Sequence, residues 1–310
     1  MIEGILSFKE FYAAYDGDPH HAWQEYVAYG GLPAVRGKRR PEEKAAFLRE
    51  LWDTVYLEGI LKQNRMLHGK DVLGAVVDAV CASTGSLTTP RKIAKAVKDA
   101  GAVDVGQKDV DQKDAGEMKV SHVTVGRYID FLLDAALIRR AGRYDVKGRK
   151  EVGPPVKYYA ADVGLLNVRF LDVGRIDKRL SFQRPDVRRV METILYNELC
   201  RRGFAVHVGI LDYSYKDENK KSKRKRMEID FVADKGSTRY YVQLMSVAEG
   251  EEAYRQASWP LRQIRDSFRK IVVVQEDVVP WNDAYGILYV GIERFLLEEY
   301  HKNAPFQQEF

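Results

Sequence analysis

The chain has 310 residues, of which 45% are hydrophobic and 31% charged, and its formal net charge is +5. This composition predicts a globular protein of two or three domains and excludes a disordered chain. No apolar run is long enough to span a bilayer, and "MIEGILSFKE" has an acid where a signal peptide is basic. We therefore expect a cytoplasmic protein without a membrane partner, in which Cys81 and Cys200 are core thiols.

The positive charge is concentrated in two short runs. Residues 139–150, "RRAGRYDVKGRK", contain six bases and one acid, and residues 216–226, "KDENKKSKRKR", contain seven bases and two acids. Each run has a net charge of +5, so the rest of the chain sums to −5. Such runs are typical of proteins that bind a polyanion, although a solvated loop has the same composition.

Residues 1–70 predict a helical module. A core stripe at roughly helical spacing is formed by Phe47, Leu51, Val55 and Ile60. The "YGGLP" segment ends the first helix, because glycine permits a positive φ and proline prevents smooth continuation.

No segment matches a phosphate-binding loop, which needs four residues between its glycines and Ser or Thr after its lysine. In "GLPAVRGK" five residues separate the glycines, and Arg39 follows Lys38. We therefore predict no ATP site in this chain.

Residues 71–162 carry the pattern of a winged helix-turn-helix domain. Thr89 is the predicted N-cap of a short helix with Pro90 at its first position, and Ser121 is the predicted N-cap of a second helix. In the second helix Val125, Ile129, Leu132 and Leu133 form the predicted core stripe. The polar residues exposed near its start, where such a helix contacts bases, are His122, Thr124 and Arg127.

Two strands around a turn at "VKGRK" then predict the wing, which coincides with the first basic run. Its predicted contacts with DNA phosphates are Arg139, Arg140, Arg143, Lys147, Arg149 and Lys150. The acidic insert at residues 103–119 separates the two helices and is expected to be a flexible loop. Winged helices also dock proteins, so that alternative stays open.

Residues 163–310 alternate helix and strand and predict an α/β domain with a mixed sheet. The second basic run lies between two predicted strands, as a long hairpin loop would. Its predicted nucleic-acid contacts are Lys220, Lys221, Lys223, Arg224, Lys225 and Arg226.

Acidic residues near this insert have the types that a magnesium site needs, since Mg²⁺ prefers carboxylate oxygens. Asp230 lies on an apolar strand, and Glu192 lies at the edge of the buried stripe of the preceding helix. Glu198 falls within that stripe, and we favour a structural ion pair for it.

The segments "METILYNELCRRGF", "EIDFVA" and "YYVQLM" resemble the core of the PD-(D/E)XK nuclease superfamily, especially the archaeal-type Holliday junction resolvases. The resemblance implies a restriction-endonuclease-like fold. It places Glu192 at the helix acid, Asp230 at the strand acid, Gln243 at the second acid and Met245 at the catalytic lysine.

An ordered set of motifs is similar to a narrower family, the bacterial and archaeal predicted AAA+ ATPases, in which a P-loop ATPase precedes a winged helix and a resolvase-like domain. The motifs include "LSFKEF", "YGGLP", "KYYAADVGLLN" and "YNELCRRG". They imply the C-terminal part of such a protein, through natural truncation, gene splitting or artificial shortening of the chain, because "LSFKEF" normally follows the ATPase and here begins at Leu6.

The substitutions at the nuclease-like site favour a protein without catalytic activity. A neutral amide in place of an anionic ligand is expected to weaken magnesium binding roughly a thousandfold, so Asp230 and Glu192 would hold Mg²⁺ weakly at most. Met245 can neither carry a positive charge nor donate a proton. The leading hypothesis is a non-catalytic DNA-interacting module. The alternatives are a docking module for a separately encoded P-loop ATPase half and a metal-dependent nuclease.

Overall fold

The computed structural model describes residues 4–65, 69–100, 121–170, 185–216, 222–245 and 250–298. It is a mixed α/β structure, as the sequence predicts. Contacts group these residues into two units, the first with 25–143 and 153–170 and the second with 6–24, 144–152 and those from 185 onward. The predicted division at 1–70, 71–162 and 163–310 stays a prediction. None of the helices in the described parts has the length and apolar run that a bilayer span requires.

The helices are α1 (Phe8–Ala13), α2 (Pro19–Tyr29), α3 (Pro33–Arg36), α4 (Pro41–Glu50), a π-helical segment (Leu51–Leu57), α5 (Glu58–Gln63), α6 (Lys70–Ala82), α7 (Pro90–Asp99), α8 (His122–Asp134), α9 (Val163–Phe170), α10 (Pro185–Arg201), α11 (Gly250–Arg262) and α12 (Ile292–Leu297). The strands are β1 (Ile138–Asp145), β2 (Lys150–Ala160), β3 (Ala205–Lys216), β4 (Ser222–Lys235), β5 (Thr238–Met245), β6 (Arg269–Val274), β7 (Trp281–Asn282) and β8 (Leu288–Gly291). The acidic insert at 103–119 lies outside the described residues.

In the first unit, α6, α7 and α8 pack on one another and precede the β1–β2 hairpin. The predicted caps of α7 and α8 are confirmed, since Thr89 and Ser121 each accept a hydrogen bond from the backbone N–H three residues later. Thr88 and Val156 exchange two backbone hydrogen bonds of 2.8 and 3.0 Å. The segment that leads into α7 is therefore tied to β2.

The "YGGLP" turn of the first unit packs around the buried carboxylate of Asp162. Its Oδ2 accepts a 2.8 Å hydrogen bond from Gly31 N–H, and its Oδ1 accepts one of 3.1 Å from Leu165 N–H. Gly30 has a φ of +76°, and a Cβ there would lie 2.1 Å from Asp162 Oδ1. Both the backbone conformation and the close approach of the carboxylate therefore require glycine.

In the second unit the strands follow the order β2-β1-β3-β4-β5-β6-β8-β7, in which β1 and β2 take part through the tip of their hairpin, residues 144–152. Val146 N–H in this hairpin tip donates to Ile210 O of β3 at 3.0 Å. β3, β4 and β5 are antiparallel, whereas β5, β6 and β8 are parallel. The sheet is therefore mixed, as predicted.

A β-bulge in β4 lies beside two neighbouring side chains that point to opposite faces of this sheet. His207 lies opposite Val232 but Gly209 lies opposite Ile229, so β4 has one residue more than β3 across this interval. Ile229 joins the apolar cluster under α11, whereas the adjacent Asp230 contacts α10. The bulge thus lies at the residue that sequence reasoning selected as a metal ligand.

Replacement of Gly30 by alanine is expected to destabilise the protein by at least about 2 kcal/mol, because alanine disfavours a positive φ and its methyl group would strike Asp162. Gly37→Ala is the matched control, since Gly37 has a φ of −68° and a Cβ there meets nothing within 4 Å. Chemical denaturation of both variants measures the difference. Equal stabilities would contradict the role given to the "YGGLP" turn.

Candidate functional site

The nuclease-like site is organised around an ion pair between Asp230 of β4 and Arg188 of α10. The Arg188 Nη2 atom donates to both oxygens of the Asp230 carboxylate at 2.9 Å. Asp230 is 3% exposed, and the Arg188 side chain is 35% exposed. A guanidinium therefore neutralises the carboxylate that the resemblance assigns to a metal ion.

The same two side chains complete the hydrogen bonding of β5 where it separates from β4. Regular pairing of these strands begins at Phe231 and Val242. Beyond this pair, the Asp230 carboxylate accepts a hydrogen bond from the Leu244 N–H at 2.7 Å. Arg188 Nη1 donates to the carbonyl oxygen of Leu244 at 2.8 Å. Side-chain hydrogen bonds from the carboxylate and the guanidinium thus replace the backbone hydrogen bonds that a regular β-ladder would make here.

Gln243, at the second acid position, also bonds to the backbone. Its side-chain Oε1 accepts the Asp230 N–H at 3.3 Å. Met245, at the lysine position, is 4% exposed and belongs to the apolar cluster with Leu261 and Val272. A lysine at this position would place its ammonium group among apolar side chains, which is strongly unfavourable. Gln243 and Met245 therefore act in hydrogen bonding and packing.

Glu192 is more deeply buried than its predicted place at the edge of the helix stripe, with 3% exposure. It lies one helical turn after Arg188 on α10. The charge of Asp230, followed by that of Glu192, raises the pKa of Arg188 above its ordinary value. Among the described residues, no group of three or more His, Cys, Asp or Glu side chains is arranged to hold a metal ion.

Glu198 has the structural ion-pair role predicted for it. Its carboxylate accepts hydrogen bonds from the guanidinium groups of Arg201 and Arg202, the shortest at 2.6 Å. Arg202 also donates to the carbonyl oxygen of Phe295 in α12 at 2.7 Å. Glu198 therefore joins α10 to α12.

The start of α8 presents the predicted base-contacting residues. His122 and Arg127 are exposed, and Thr124 is half-buried with its hydroxyl oxygen 3.0 Å from that of Ser121. Val123, which sequence reasoning did not select, is 62% exposed between them. The front of this helix is therefore mixed polar and apolar.

The basic residues of the β1–β2 hairpin differ in what they contact. Arg139, Arg140, Lys147, Arg149 and Lys150 are exposed. Arg143 is half-buried, and its guanidinium donates to Gly153 O and Pro154 O at 2.7–3.1 Å. Arg143 therefore holds the two strands of the hairpin together, so its substitution would disturb the hairpin as well as any ligand contact.

The second basic run is not the long hairpin loop predicted from the sequence. β3 extends to Lys216 and β4 begins at Ser222, so most of the run lies in paired strands. Lys225 and Arg226 are exposed on β4. Lys223 and Arg224 lie on β4 opposite Tyr215 and Ser214, and Lys220 and Lys221 lie outside the described residues.

The two basic runs meet at Asp212 of β3. Lys147 in the hairpin tip donates to Asp212 O at 2.6 Å, and Arg226 Nε donates to the Asp212 carboxylate at 3.0 Å. Residues that are 79 positions apart in the sequence thus converge on one residue. No local sequence signal marks this juxtaposition.

Comparisons with known proteins match this chain to one family model and to one relative of unassigned function. Residues 20–177 match the family described as "Domain of unknown function (DUF8612)", which is just over half of the chain. An "Uncharacterized protein" of Haemophilus influenzae (strain ATCC 51907 / DSM 11121 / KW20 / Rd) is 28% identical over 273 residues, covering 86% of this chain and 57% of the relative. The chain therefore spans little more than half the length of that relative.

Arg188→Leu is expected to destabilise the second unit by about 3 kcal/mol, because it leaves the buried Asp230 carboxylate without its counter-ion. The double variant Arg188→Leu/Asp230→Asn is expected to recover much of this loss, since the buried charge is then removed. Urea denaturation measures both, and faster hydrogen exchange at the Leu244 amide locates the change.

The control is Arg255→Leu, which breaks an exposed ion pair with Glu252 and is expected to cost less than about 1 kcal/mol. If the losses of Arg188→Leu and Asp230→Asn simply add in the double variant, the two residues are not coupled.

Proposed function

The chain belongs to the family described as DUF8612, and we propose that it is a non-catalytic module that binds nucleic acid. The observation that carries the proposal lies in the first unit, where three packed helices are followed by the base of the β1–β2 hairpin with exposed Arg139 and Arg140. That arrangement is expected of a winged helix, in which the last helix enters the major groove and the hairpin contacts phosphates.

Two features of the first unit support this interpretation. The bridge between Thr88 and Val156 joins the segment before α7 to the hairpin, as the short third strand of a winged helix does. His122 and Arg127 are exposed at the start of α8, and Arg139 is exposed on β1. Their side chains can reach base edges and phosphate oxygens, which accept hydrogen bonds.

The second unit supports binding without cleavage. In the proposed restriction-endonuclease-like fold, Asp230 would be the metal-binding acid, yet its carboxylate is bonded to Arg188 and Leu244. Magnesium would have to displace a guanidinium nitrogen that already donates to both carboxylate oxygens. The site therefore favours a degenerate nuclease over the metal-dependent nuclease considered as an alternative.

A second candidate function is docking of a separately encoded P-loop ATPase half, as in the AAA+ family that the chain resembles. The observation in its favour is an exposed apolar patch around β7, where Val279, Trp281 and Tyr285 are 74%, 43% and 65% exposed. Exposed apolar patches mark protein contacts. Co-purification with such an ATPase, lost on substitution of Trp281 and Tyr285, would support docking.

The logarithm of the affinity for labelled DNA is expected to fall linearly with the logarithm of the salt concentration. The reason is that protein binding releases the counterions that neutralise the DNA phosphates. Arg127→Gln and Arg139→Gln are each expected to weaken binding and to reduce the salt slope by about 1 if they contact phosphate. Fluorescence anisotropy across a salt series measures both quantities.

Lys62→Gln is the matched control, because Lys62 is an exposed base on α5 of the same unit. It removes one positive charge without altering α8 or the hairpin. Binding that responds neither to salt nor to the two arginine substitutions would overturn the nucleic-acid proposal.

The protein is expected to leave branched and duplex DNA intact in magnesium or manganese, and neither ion is expected to raise its melting temperature at millimolar concentration. The reason is that the Arg188 guanidinium neutralises Asp230. Gel assays and thermal denaturation test the two statements. Cleavage that is lost in an Asp230→Ala variant would establish a nuclease instead.

A further inference from the structure

The second unit contains a cationic cleft beside the hairpin tip. The cleft has a volume of about 470 Å³, and its walls include Lys147 and Arg149 of the hairpin tip, Tyr213 of β3, and Arg265 and Asp266 after α11. Arg149 and Arg265 are exposed. Three positively charged side chains from two separate parts of the chain therefore surround one opening.

The acid in this cleft is committed to contacts within the protein. The Asp266 carboxylate accepts hydrogen bonds from Tyr241 Oη at 2.7 Å and from Phe268 N–H at 3.2 Å, and it lies 3.8 Å from Lys270. Lys147 uses one of its three donors on Asp212 O and keeps the others for a ligand. The cleft therefore favours an anion.

An aromatic pair, in which Trp259 is exposed and Tyr213 is half-buried, lies beside the cleft. Trp259 is 44% exposed and makes an edge contact with the Tyr213 ring, with centroids 6.2 Å apart and planes at 83°. Trp259 lies on α11, four residues before Gln263, which follows that helix and lines the cleft. Lys225 of the second basic run lies opposite Tyr213 in the sheet. Aromatic and positively charged side chains thus lie next to one another on this surface.

We infer that this cleft binds a single-stranded segment of nucleic acid, with phosphates on Lys147, Arg149 and Arg265 and a base stacked on Trp259. Positively charged groups beside aromatic rings are typical of sites that bind single strands. The phosphates need positive charge, and only an unpaired nucleobase exposes its face for stacking. A duplex hides those faces. This inference rests on the proposed function and specifies the form of nucleic acid that the second unit takes.

The backbone at Arg149 supports a role for its side chain in binding. Arg149 has a φ of +52°, a conformation that favours glycine or asparagine. The turn is set by Asp145, whose Oδ1 accepts the Gly148 N–H at 2.9 Å. Because of the positive φ, arginine is less favourable for folding at this position than glycine. Its guanidinium contributes to the cationic wall of the cleft.

The test compares an oligothymidylate of about 15 nucleotides with a duplex of equal length, using fluorescence anisotropy and tryptophan quenching. Trp259→Ala is expected to weaken binding of the single strand about tenfold and to abolish the quenching, with a smaller effect on the duplex. Trp281→Ala is the control, because Trp281 is 43% exposed in the same unit.

Arg149→Gly separates binding from folding. It is expected to weaken binding of the single strand severalfold while leaving the melting temperature equal or higher, because glycine accepts the positive φ. Arg65→Gly is its control, since Arg65 has a φ of +55° but lies in the first unit.

The outcomes distinguish this inference from the proposed function. If no nucleic acid binds in a salt-dependent way, both fail. If duplex DNA binds but Trp259→Ala behaves like Trp281→Ala and Arg149→Gly like Arg65→Gly, the cleft is not a single-strand site and the proposed function stands.

Discussion

The ion pair between Arg188 and Asp230 fixes the relation of α10 to the centre of the sheet in the second unit. Asp230 of β4 faces this helix, and the Arg188 guanidinium that pairs with it also donates to the carbonyl oxygen of Leu244. A buried carboxylate without a counter-ion would be strongly destabilising. The positions of β4, β5 and α10 therefore depend on one another, because together they bury and neutralise one negative charge where two strands separate.

This constraint gives the residues selected by the nuclease resemblance a structural role. Backbone hydrogen bonds depend on Asp230, and Gln243 supplies an acceptor to the N–H of the same residue. Met245 contributes to packing under α11, where a lysine would be desolvated. A buried acid that matches a metal-site motif can have a purely structural role, so a partial motif is weak evidence of activity.

The features that the sequence predicts well are local. Thr89 and Ser121 cap their helices because the capping hydrogen bond spans only three residues. The stripe of Phe47, Leu51, Val55 and Ile60 is wrong in part, since Val55 is 55% exposed and Trp52 is buried instead. The π-helical segment over Leu51–Leu57 changes the number of residues per turn, so a regular helical wheel loses register there. Arg188 was missed because its partner lies 42 residues away, and spacing along a helix gives no information about a strand across from it.

The same limit applies to charge. Counted along the chain, the two basic runs are equivalent, but folding joins them at Asp212, which engages Lys147 through its carbonyl oxygen and Arg226 through its carboxylate. Arg143 is committed to the carbonyl groups of its own hairpin. Among the described residues of the two runs, Arg149 and Lys225 have exposed side chains in the second unit. The long-range electrostatic field of the protein depends on its total charge. The path of a bound strand depends on which positively charged side chains are available to contact it, and only the folded arrangement determines which these are.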